Sequence, residues 1–381
     1  MTDRGKAQNH IGRRSLLGAT AAVSAGGLAA PAVAQAGRRL SLVATWPRGL
    51  PGLWDSADRF GARVAAMSGG ALTVEVFAAG ERVGAFESFD TVRAGDADMY
   101  HGAEYYWQGR DKAFNFFTTV PFGLTFTEFT AWIRLGGGQD LWDQLSGAYG
   151  LKCLMCGNTG VQMGGWYARP IRSLEDMKGL RIRIPGIAAD IFRALGSEPV
   201  SLPGGQIPAA LFAGEIDAVE WVGPYNDLEF GVPKVLPYYM YPGFHEPGTC
   251  ASLGINAELW QSLSGSDRAV IAAAAAAENR TMPAQYAARS GRALEQMRQE
   301  YGTQVTRFPD SVYAEVARIA ADTITGIGAA DGFAARVVDS FLTFRDRAVP
   351  VSLRAAGTYV AAREATLAAP PAEAAPVEIL D

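Results

Sequence analysis

An arginine lies near the end of an apolar strand in this sequence, where it could bind an anionic ligand. Residues 178–184 alternate between apolar and basic side chains, which predicts a strand with Arg181 and Arg183 on one face. A Pro-Gly turn follows, so Arg183 lies at the strand end, and its planar guanidinium can bind a carboxylate through two parallel hydrogen bonds. The alternative is a solvated arginine with no ligand role.

Carboxylates in apolar surroundings form a second candidate group. Glu220 is near the end of the apolar run 216–221, and Glu246 lies among aromatic residues and prolines. A buried carboxylate is costly unless it is paired or coordinated, and with Gln162 these residues offer the oxygen ligands that hard cations prefer. Each residue alone also fits a structural role. Two glutamates and an anionic ligand would repel each other, so either Arg183 and a cation both enter the crevice, or the ligand is not an acid.

Two α/β arrangements would position these residues. A strand at 40–45, a helix at 52–67 and a strand at 71–77 form the first, and a strand at 178–184 followed by a helix at 188–195 belongs to the second. In open α/β sheets, ligands bind beyond the carboxyl ends of the strands. We therefore predict an α/β fold with two lobes.

A short pattern recurs between the two arrangements. In residues 94–100 and again in residues 213–221, a helix ends at Gly and an acidic turn leads into a short strand. The repeat indicates two related lobes, although a chance similarity is common in α/β proteins.

The C-terminal third is predicted to be mostly helical. Ala-rich segments at 266–300, 310–327 and 332–367 carry their charges on one face, and a Pro/Ala-rich tail follows from 368. The last helix would be longer than a lobe if it is unbroken, so it could pack on another subunit.

Composition excludes several classes of protein. The chain has 381 residues, of which 49% are hydrophobic and 19% charged, as is typical of a globular protein large enough for two domains. The 34 basic and 39 acidic residues give a net charge of −5, and no dense basic run follows the N-terminus. We therefore expect no nucleic-acid partner.

Residues 1–36 have the pattern of an export signal. A basic start containing Arg13 and Arg14 leads into a short apolar stretch, and small residues offer cleavage after Ala34 or Ala36. The paired arginines favour a twin-arginine signal, with an ordinary Sec signal as the alternative. The apolar stretch is short for a spanning helix and no later stretch is long enough, so we expect a soluble product in the periplasm.

The three cysteines and three histidines favour neither a disulfide framework nor a His-rich zinc centre. Cys153 and Cys156 lie in a predicted strand, where residues three apart face opposite sides, so they cannot easily form a bridge. We interpret both, together with Cys250, as buried small hydrophobic residues. His245 lies next to Glu246 and could line the site or cap its loop.

Four segments form a recognisable series: GNTGVQMGGW at 157–166, KGLRIRIPG at 178–186, AVEWVGPY at 218–225 and HEP at 245–247, with support from 45–47, 77–81 and 116–124. In this series the chain resembles the DctP-type solute-binding proteins of TRAP (tripartite ATP-independent periplasmic) transporters. The resemblance covers about residues 40 to 350. It points to the subgroup that binds 2-oxo and 2-hydroxy acids, such as pyruvate and lactate.

The resemblance implies roles for the candidate residues. Arg183 would pair with the substrate carboxylate. Gln162, Glu220, Glu246 and the backbone carbonyl of Trp221 would hold a metal cation, sodium or calcium, that also contacts the substrate. Gln162 and Trp221 would line the substrate as well. This cation would remove the repulsion between the glutamates and an anionic ligand.

Further pocket residues are implied by the same resemblance. Asn158 and either Tyr105 or Tyr106, with Tyr106 preferred, would complete the hydrogen bonds to the substrate. Trp46 and Phe86 would form a wall of the pocket, or would simply pack in the core.

The resemblance also implies that each lobe is discontinuous, with hinge strands that cross between the lobes twice. It implies a C-terminal helix that is exchanged between subunits in some dimeric relatives. The expected parts are the signal at 1–36, lobe I at 37–158 plus about 222–248, lobe II at about 159–221 plus 249–325, a helical extension at 326–367 and a flexible tail at 368–381.

The expected function is that of an extracytoplasmic solute receptor. Two lobes would close on a small monocarboxylate and a cation, and the receptor would deliver the ligand to the membrane subunits of a transporter. One alternative is an exported metal-dependent enzyme that acts on 2-oxo acids, although no nucleophile and base stand in a recognisable arrangement. The other is a sensory component with the same pocket.

Overall fold

Two β-sheets organise the computed structural model, which describes residues 1–2, 37–330 and 332–368. The strands in these residues are β1 (Arg38–Ala44), β2 (Leu72–Phe77), β3 (Met99–Gly102), β4 (Leu151–Asn158), β5 (Trp166–Tyr167), β6 (Arg181–Arg183), β7 (Glu198–Val200), β8 (Ala218–Val219), β9 (Tyr238–Tyr241), β10 (Cys250–Asn256) and β11 (Gln304–Arg307). The α-helices are α1 (Leu53–Met67), α2 (Ser88–Ala94), α3 (Phe126–Leu135), α4 (Gly138–Ala148), α5 (Gly186–Ala194), α6 (Ile207–Phe212), α7 (Pro224–Glu229), α8 (Ala257–Ser262), α9 (Gly265–Tyr301), α10 (Asp310–Ala330), α11 (Gly332–Ser352) and α12 (Thr358–Ala368).

The first sheet has the strand order β2-β1-β3-β10-β4. Strand β1 pairs in parallel with both β2 and β3, and α1 connects β1 to β2. Helix α1 buries Leu53, Ala57, Phe60 and Val64, which are spaced three or four residues apart and so share one face. This arrangement confirms the predicted order of strand, helix and strand.

The second sheet has the order β11-β9-β5-β8-β6-β7. Strand β6 is parallel to both β7 and β8, and the strands are shorter than the predicted runs at 178–184 and 216–221. The Glu220 amide still donates to the Arg183 carbonyl at 2.9 Å, after which the chain turns into α7. The pairing of β6 with β8 therefore places Arg183 and Glu220 side by side.

Two strands of the return segments, β9 and β10, lie in the opposite sheet from the one predicted. Segment 222–248 was expected in lobe I, yet its strand β9 pairs with β5 and β11 in the second sheet. Segment 249–325 is predicted in lobe II, yet its strand β10 pairs with β3 and β4 in the first sheet, whereas its strand β11 pairs with β9 in the second sheet. A fully buried strand has the same apolar pattern in either sheet, so the pattern alone could not assign its partners. The prediction is therefore wrong for β9 and β10, and segment 249–325 is divided between the two sheets.

The C-terminal helices pack on both sheets and then extend outward. Helix α9 contacts β4, α1 and α7, whereas α10 contacts α5 and α11. The predicted helix at 332–367 consists of α11, a π-helical turn at Leu353–Gly357 and α12. Residues 353–367 are all exposed. The interruption lies just after Pro350, which cannot donate the backbone hydrogen bond of a regular helix.

Two predicted segments lie outside the described residues, namely the export signal apart from its first two residues and the tail from residue 369 onward. Within the described ranges, no helix combines the length and the apolar character that a membrane span requires. The cysteines are buried and unpaired, and Cys153 and Cys156 both lie in β4, in agreement with the prediction.

Candidate functional site

The candidate residues lie just beyond the carboxyl ends of strands, where the topology predicts a crevice. Arg183 ends β6, and Glu220 and Trp221 directly follow β8. Gln162 and Glu246 lie in connections 159–165 and 242–249, which join one sheet to the other. These two connections are hydrogen-bonded to each other, because the backbone N–H of Gln162 donates to the backbone carbonyl of Glu246 at 3.1 Å.

The Arg183 guanidinium is completely buried. Its Nε donates to the backbone carbonyl of Leu202 at 3.1 Å, and its Nη1 donates to the backbone carbonyl of Glu220 at 2.8 Å. Its Cζ lies 4.8 Å from the centre of the Trp221 ring. Nη2 has no hydrogen-bond partner among the described residues. A buried guanidinium with one unused edge is costly unless an acceptor meets it, and a ligand carboxylate has the matching geometry.

The Glu220 carboxylate is also buried, beside Arg183 and His245. Its Oε2 lies 3.6 Å from Arg183 Nη1 and its Oε1 lies 3.1 Å from His245 Nε2. Neither contact has hydrogen-bond geometry, so both oxygens lack a donor within the part of the chain that the structure describes. Burial raises the pKa of Glu220 to about 8, although the charge of Arg183 opposes this shift.

The His245 ring is neutral, so it does not neutralise Glu220. Burial lowers the pKa of His245 to about 4, against the opposing effect of the Glu246 charge. Both ring nitrogens lack hydrogen-bond partners in the described ranges, although the side chain is only 1% exposed. Of the two roles that its sequence position allowed, the structure favours lining the site.

Gln162 and Glu246 form a hydrogen-bonded unit with two threonines. Gln162 Nε2 donates to Glu246 Oε2 at 2.7 Å, to Thr249 Oγ1 at 2.9 Å and to Thr159 Oγ1 at 3.1 Å, and the Thr249 hydroxyl also donates to Glu246. The side-chain nitrogen of Gln162 faces Glu246, so Gln162 Oε1 is left with no donor among the described residues. No sequence signal had pointed to the threonines.

The two glutamates are close enough to influence each other. Burial raises the pKa of Glu246 to about 8, and repulsion from Glu220 is the second cause. The crevice therefore holds two carboxyl groups that are costly to ionise together unless a positive charge joins them.

The unpaired oxygens fit a hard cation. Gln162 Oε1 and both oxygens of Glu220 are buried acceptors without donors in the described chain, and hard cations bind oxygen ligands of this kind. No group of three or more His, Cys, Asp or Glu side chains in the described residues is placed to hold a metal ion. A cation here would therefore need a ligand besides carboxylates, and Gln162 Oε1 offers an amide oxygen.

The remaining predicted pocket residues lie around this cluster. Asn158 ends β4 and accepts from the Gly160 amide at 2.8 Å, while its Nδ2 has no acceptor in the described part of the chain. The Tyr106 ring lies 4.8 Å from the centre of Phe86 and 6.4 Å from that of Trp46. Burial raises the pKa of Tyr106, and the charge of Arg183 opposes this shift.

Asp227 is a residue of the site region that the sequence did not reveal. Its buried carboxylate accepts from Trp166 Nε1 and from the Tyr239 hydroxyl, each at 2.8 Å, and from the Gly223 amide at 3.0 Å. These donors tie the segment just after Trp221 to the second sheet. An acidic residue in the first turn of a helix is common, so nothing in the sequence marked this one.

His101 holds the Trp46 wall in place and should make the fold sensitive to acid. Its Nδ1 accepts from Trp46 Nε1 at 2.8 Å, and its Nε2 lies 3.2 Å from the Cys156 carbonyl. Burial lowers the pKa of His101 to about 4, and the charge of Arg59 acts in the same direction, whereas Cys156 and Glu278 oppose it. The unfolded state binds this proton more readily than the folded state does. The contribution of His101 to stability is therefore complete above pH ~6.5 and is lost as the pH falls towards 4.

Urea unfolding of wild type and of His101→Asn between pH 7 and pH 4 would test this expectation. The free energy of unfolding of the wild type should fall by about 3 kcal/mol more than that of the variant over this range. Comparison with the variant removes the contributions of the buried carboxyl groups, which both proteins share. Parallel pH profiles for the two proteins would contradict the assignment.

Comparison with known proteins gives the family. The family model described as bacterial extracellular solute-binding protein, family 7, matches residues 50–324. A curated relative from Nostoc sp., a monocarboxylate 2-oxoacid-binding periplasmic protein, is 34% identical over 307 residues, which are 81% of this chain and 84% of the relative.

Two solved structures are also similar. The first is a TRAP periplasmic solute binding protein from Pseudoalteromonas atlantica with bound sodium and pyruvate, at 34% identity and a TM-score of 0.82, covering 85% of this chain and 98% of that one. The second is a TRAP transporter solute binding protein from Bordetella bronchiseptica, a mixed-occupancy dimer with copurified calcium and picolinate, at 31% identity and a TM-score of 0.85, covering 87% and 98% of the two chains.

These similarities confirm the predicted α/β solute-binding fold, and they favour a receptor over the alternative of an enzyme. They extend over both sheets and over the connections that carry Gln162 and Glu246. The chain therefore belongs to the DctP family, the bacterial extracellular solute-binding proteins of family 7.

Proposed function

We propose that this chain is the periplasmic receptor of a TRAP transporter and that it binds a small 2-oxo or 2-hydroxy monocarboxylate together with a metal cation. The ligand would lie between the Arg183 guanidinium and the cluster of Gln162, Glu220 and Glu246. The receptor would then deliver the ligand to the membrane subunits of the transporter.

One observation carries this proposal, namely that buried polar atoms of both kinds lack partners in one place. Arg183 Nη2 is a donor without an acceptor, and Gln162 Oε1 and the two Glu220 oxygens are acceptors without donors among the described residues. Unpaired buried polar groups are rare in folded proteins because each is costly. An anion and a cation bound together would satisfy both kinds.

The ligands of the relatives have the required chemistry. Pyruvate with sodium and picolinate with calcium are bound by the two similar structures, and the curated relative is named for monocarboxylate 2-oxoacids. Pyruvate and picolinate each have a carboxylate next to a second donor atom. A fork such as that of Arg183 can take the carboxylate, while the second donor faces a cation.

The side chains assigned to the cation are Gln162, Glu220 and Glu246, with the backbone carbonyl of Trp221. When bound, the cation would supply the positive charge that allows both carboxylates to ionise beside an anionic ligand. Asn158 and Tyr106 would add hydrogen bonds, and Trp46 and Phe86 would limit the volume available beyond the carboxylate.

A cation-dependent stabilisation tests the proposed function. Mature protein is unfolded to release bound ligand, treated with chelator and refolded in potassium buffer, and its thermal midpoint is measured with pyruvate, lactate, succinate and glucuronate. With sodium or calcium restored, a small monocarboxylate should raise stability by about 2.7 kcal/mol at one hundred times its Kd. Equal stabilisation without a cation, or stabilisation only by dicarboxylic or sugar acids, would reject the proposed ligand class.

We also propose that the chain is exported and that α12 packs on a second copy of the chain. Leu353, Tyr359, Val360 and Leu367 are exposed apolar side chains along the final helical segment, and the Bordetella relative is described as a dimer. Truncation after Ser352 should convert a dimer to a monomer in sedimentation velocity and leave ligand affinity unchanged. A wild-type monomer would reject the dimer.

The proposed export has a separate test. Intact-mass measurement of the exported protein would show whether the signal is removed after Ala34 or Ala36.

A further inference from the structure

Four arginines surround an open depression between α1 and α9, away from the ligand site. The depression has a volume of about 720 Å³ and is lined by Arg59, Arg63, Arg280 and Arg289, with Thr281 and Gln285 among its uncharged residues. We call this surface the arginine face. No carboxylate lines it within the described residues.

Two of these arginines, Arg59 and Arg63, are held in place by a buried carboxylate. Glu278 is completely buried, and its carboxylate accepts from Arg59 Nη2 at 2.9 Å and from Arg63 Nε at 2.5 Å. Gln285 Oε1 accepts from Arg59 Nη1 at 2.8 Å, and Thr281 Oγ1 accepts from Arg63 Nη2 at 3.1 Å. The guanidinium groups are therefore ordered before any partner arrives, which lowers the entropic cost of binding one.

The arginine face keeps a positive charge on an acidic protein. Glu278 and the nearby Asp55, which accepts from Gln285 Nε2 at 2.8 Å, offset two of the four positive charges. Arg280 and Arg289 are exposed, and neither forms an ion pair with a residue that the structure describes. The whole chain has a net charge of −5, so this face differs in sign from the molecule as a whole.

Helix α7 connects the arginine face to the ligand site. It begins three residues after Trp221, and its Tyr225 hydroxyl lies 3.2 Å from Gln285 Nε2. The Tyr225 ring lies 5.7 Å from Arg289 Cζ. The next residue, Asn226, is hydrogen-bonded to the Tyr286 hydroxyl on α9 and to the Pro51 carbonyl before α1.

Asp227 completes this connection on the other side of the helix. As described above, it holds the second sheet and the segment that follows Trp221. Three consecutive residues of one short helix therefore contact the arginine face, the α1–α9 pair and the segment just after Trp221. A change in the position of that segment on ligand binding would move side chains that border the face.

We propose that the arginine face is a docking surface for a carboxylate-rich segment of a membrane subunit. The proposal rests on the proposed receptor function, because it supplies the surface through which the receptor would be recognised. Ordered guanidinium forks in a concave surface match carboxylates, which they bind through paired hydrogen bonds. The net negative charge of the chain disfavours general attraction to an anionic bilayer.

A charge-reversal pair tests the proposal on the full mature protein. Arg280→Glu/Arg289→Glu changes exposed residues of the face, and Arg292→Glu/Arg298→Glu is a matched control with the same charge change on exposed residues of α9 outside the depression. The probe is a fluorescent octaglutamate peptide, measured by anisotropy with and without pyruvate and cation. Phosphatidylglycerol vesicles are the second probe.

Wild type and the control pair should bind the peptide, and the Arg280/Arg289 pair should bind it at least tenfold more weakly. Equal affinities for the three proteins would overturn the proposal, as would vesicle binding tighter than peptide binding. Pyruvate affinity is measured in parallel, so a failure of the proposed function appears as loss of ligand binding in the wild type, independently of the peptide result. If the pair does not fold, Arg280→Glu alone is compared with Arg298→Glu by the same criterion.

Discussion

Replacement of Arg183 by alanine should weaken the binding of a monocarboxylate by about 2–5 kcal/mol, the scale for truncating one partner of a buried charged pair. The expected loss is large because the guanidinium is completely buried and its Nη2 has no partner among the described residues, so that the ligand carboxylate would be left without a donor. Isothermal titration calorimetry with pyruvate and a saturating cation measures the difference.

Arg181 provides a matched control for this variant. It lies two residues earlier in the same strand, is partly exposed and is paired with Asp217 through Nε at 2.8 Å and Nη2 at 2.6 Å. Arg181→Ala should therefore leave pyruvate affinity within twofold of wild type, since its partner lies outside the site. Arg183→Lys keeps the charge but lacks the planar fork, so its affinity should fall between those of wild type and Arg183→Ala.

Arg183 also holds two backbone carbonyls, so the variants are compared only after their folding is checked. The thermal midpoint without ligand reports any structural damage, and Arg183→Lys remains as a second test if the alanine variant does not fold. Wild-type affinity in a folded Arg183 variant would remove this residue from the binding site.

The proximity of Arg183 and Glu220 could be anticipated from rules about strand ends. Parallel strands end at the same edge of a sheet, so Arg183 at the end of β6 and Glu220 after β8 lie at one edge once both runs are strands of one sheet. The structure has them joined through the Glu220 amide and the Arg183 carbonyl. The order of strand, helix and strand around α1 was also predictable, because the spacing of the apolar residues differs between a helix and a strand.

The partners of the site residues were not predictable in the same way. Thr249 and Asp227 form hydrogen bonds to residues distant in sequence, such as Gln162 and Trp166, and hydrogen bonds of this kind leave no period or motif. The assignment of β9 and β10 failed for a related reason, since buried strands of either sheet have the same apolar composition. Local patterns specify elements, whereas pairing between distant elements depends on the whole packing.

The largest effect on cation binding is expected for Glu220→Gln. The variant keeps the size and shape of the side chain but removes the negative charge from a group whose two oxygens have no donors among the described residues. Loss of this charge should weaken pyruvate binding at saturating sodium or calcium by about 3 kcal/mol, or roughly 100-fold, because a cation in the crevice would lose a charged ligand. The dependence of affinity on cation concentration should flatten at the same time.

Glu104→Gln is a suitable control because it also neutralises a completely buried glutamate. Glu104 accepts from the Tyr100 hydroxyl at 2.8 Å, and burial raises its pKa to about 7. This variant should keep the affinity of the wild type for pyruvate and its cation dependence. Titration of pyruvate at several sodium concentrations, for wild type and both variants, separates the two glutamates. An unchanged cation dependence in Glu220→Gln would place the cation away from this crevice, whereas a loss in both variants would indicate a general effect of buried charge on the fold.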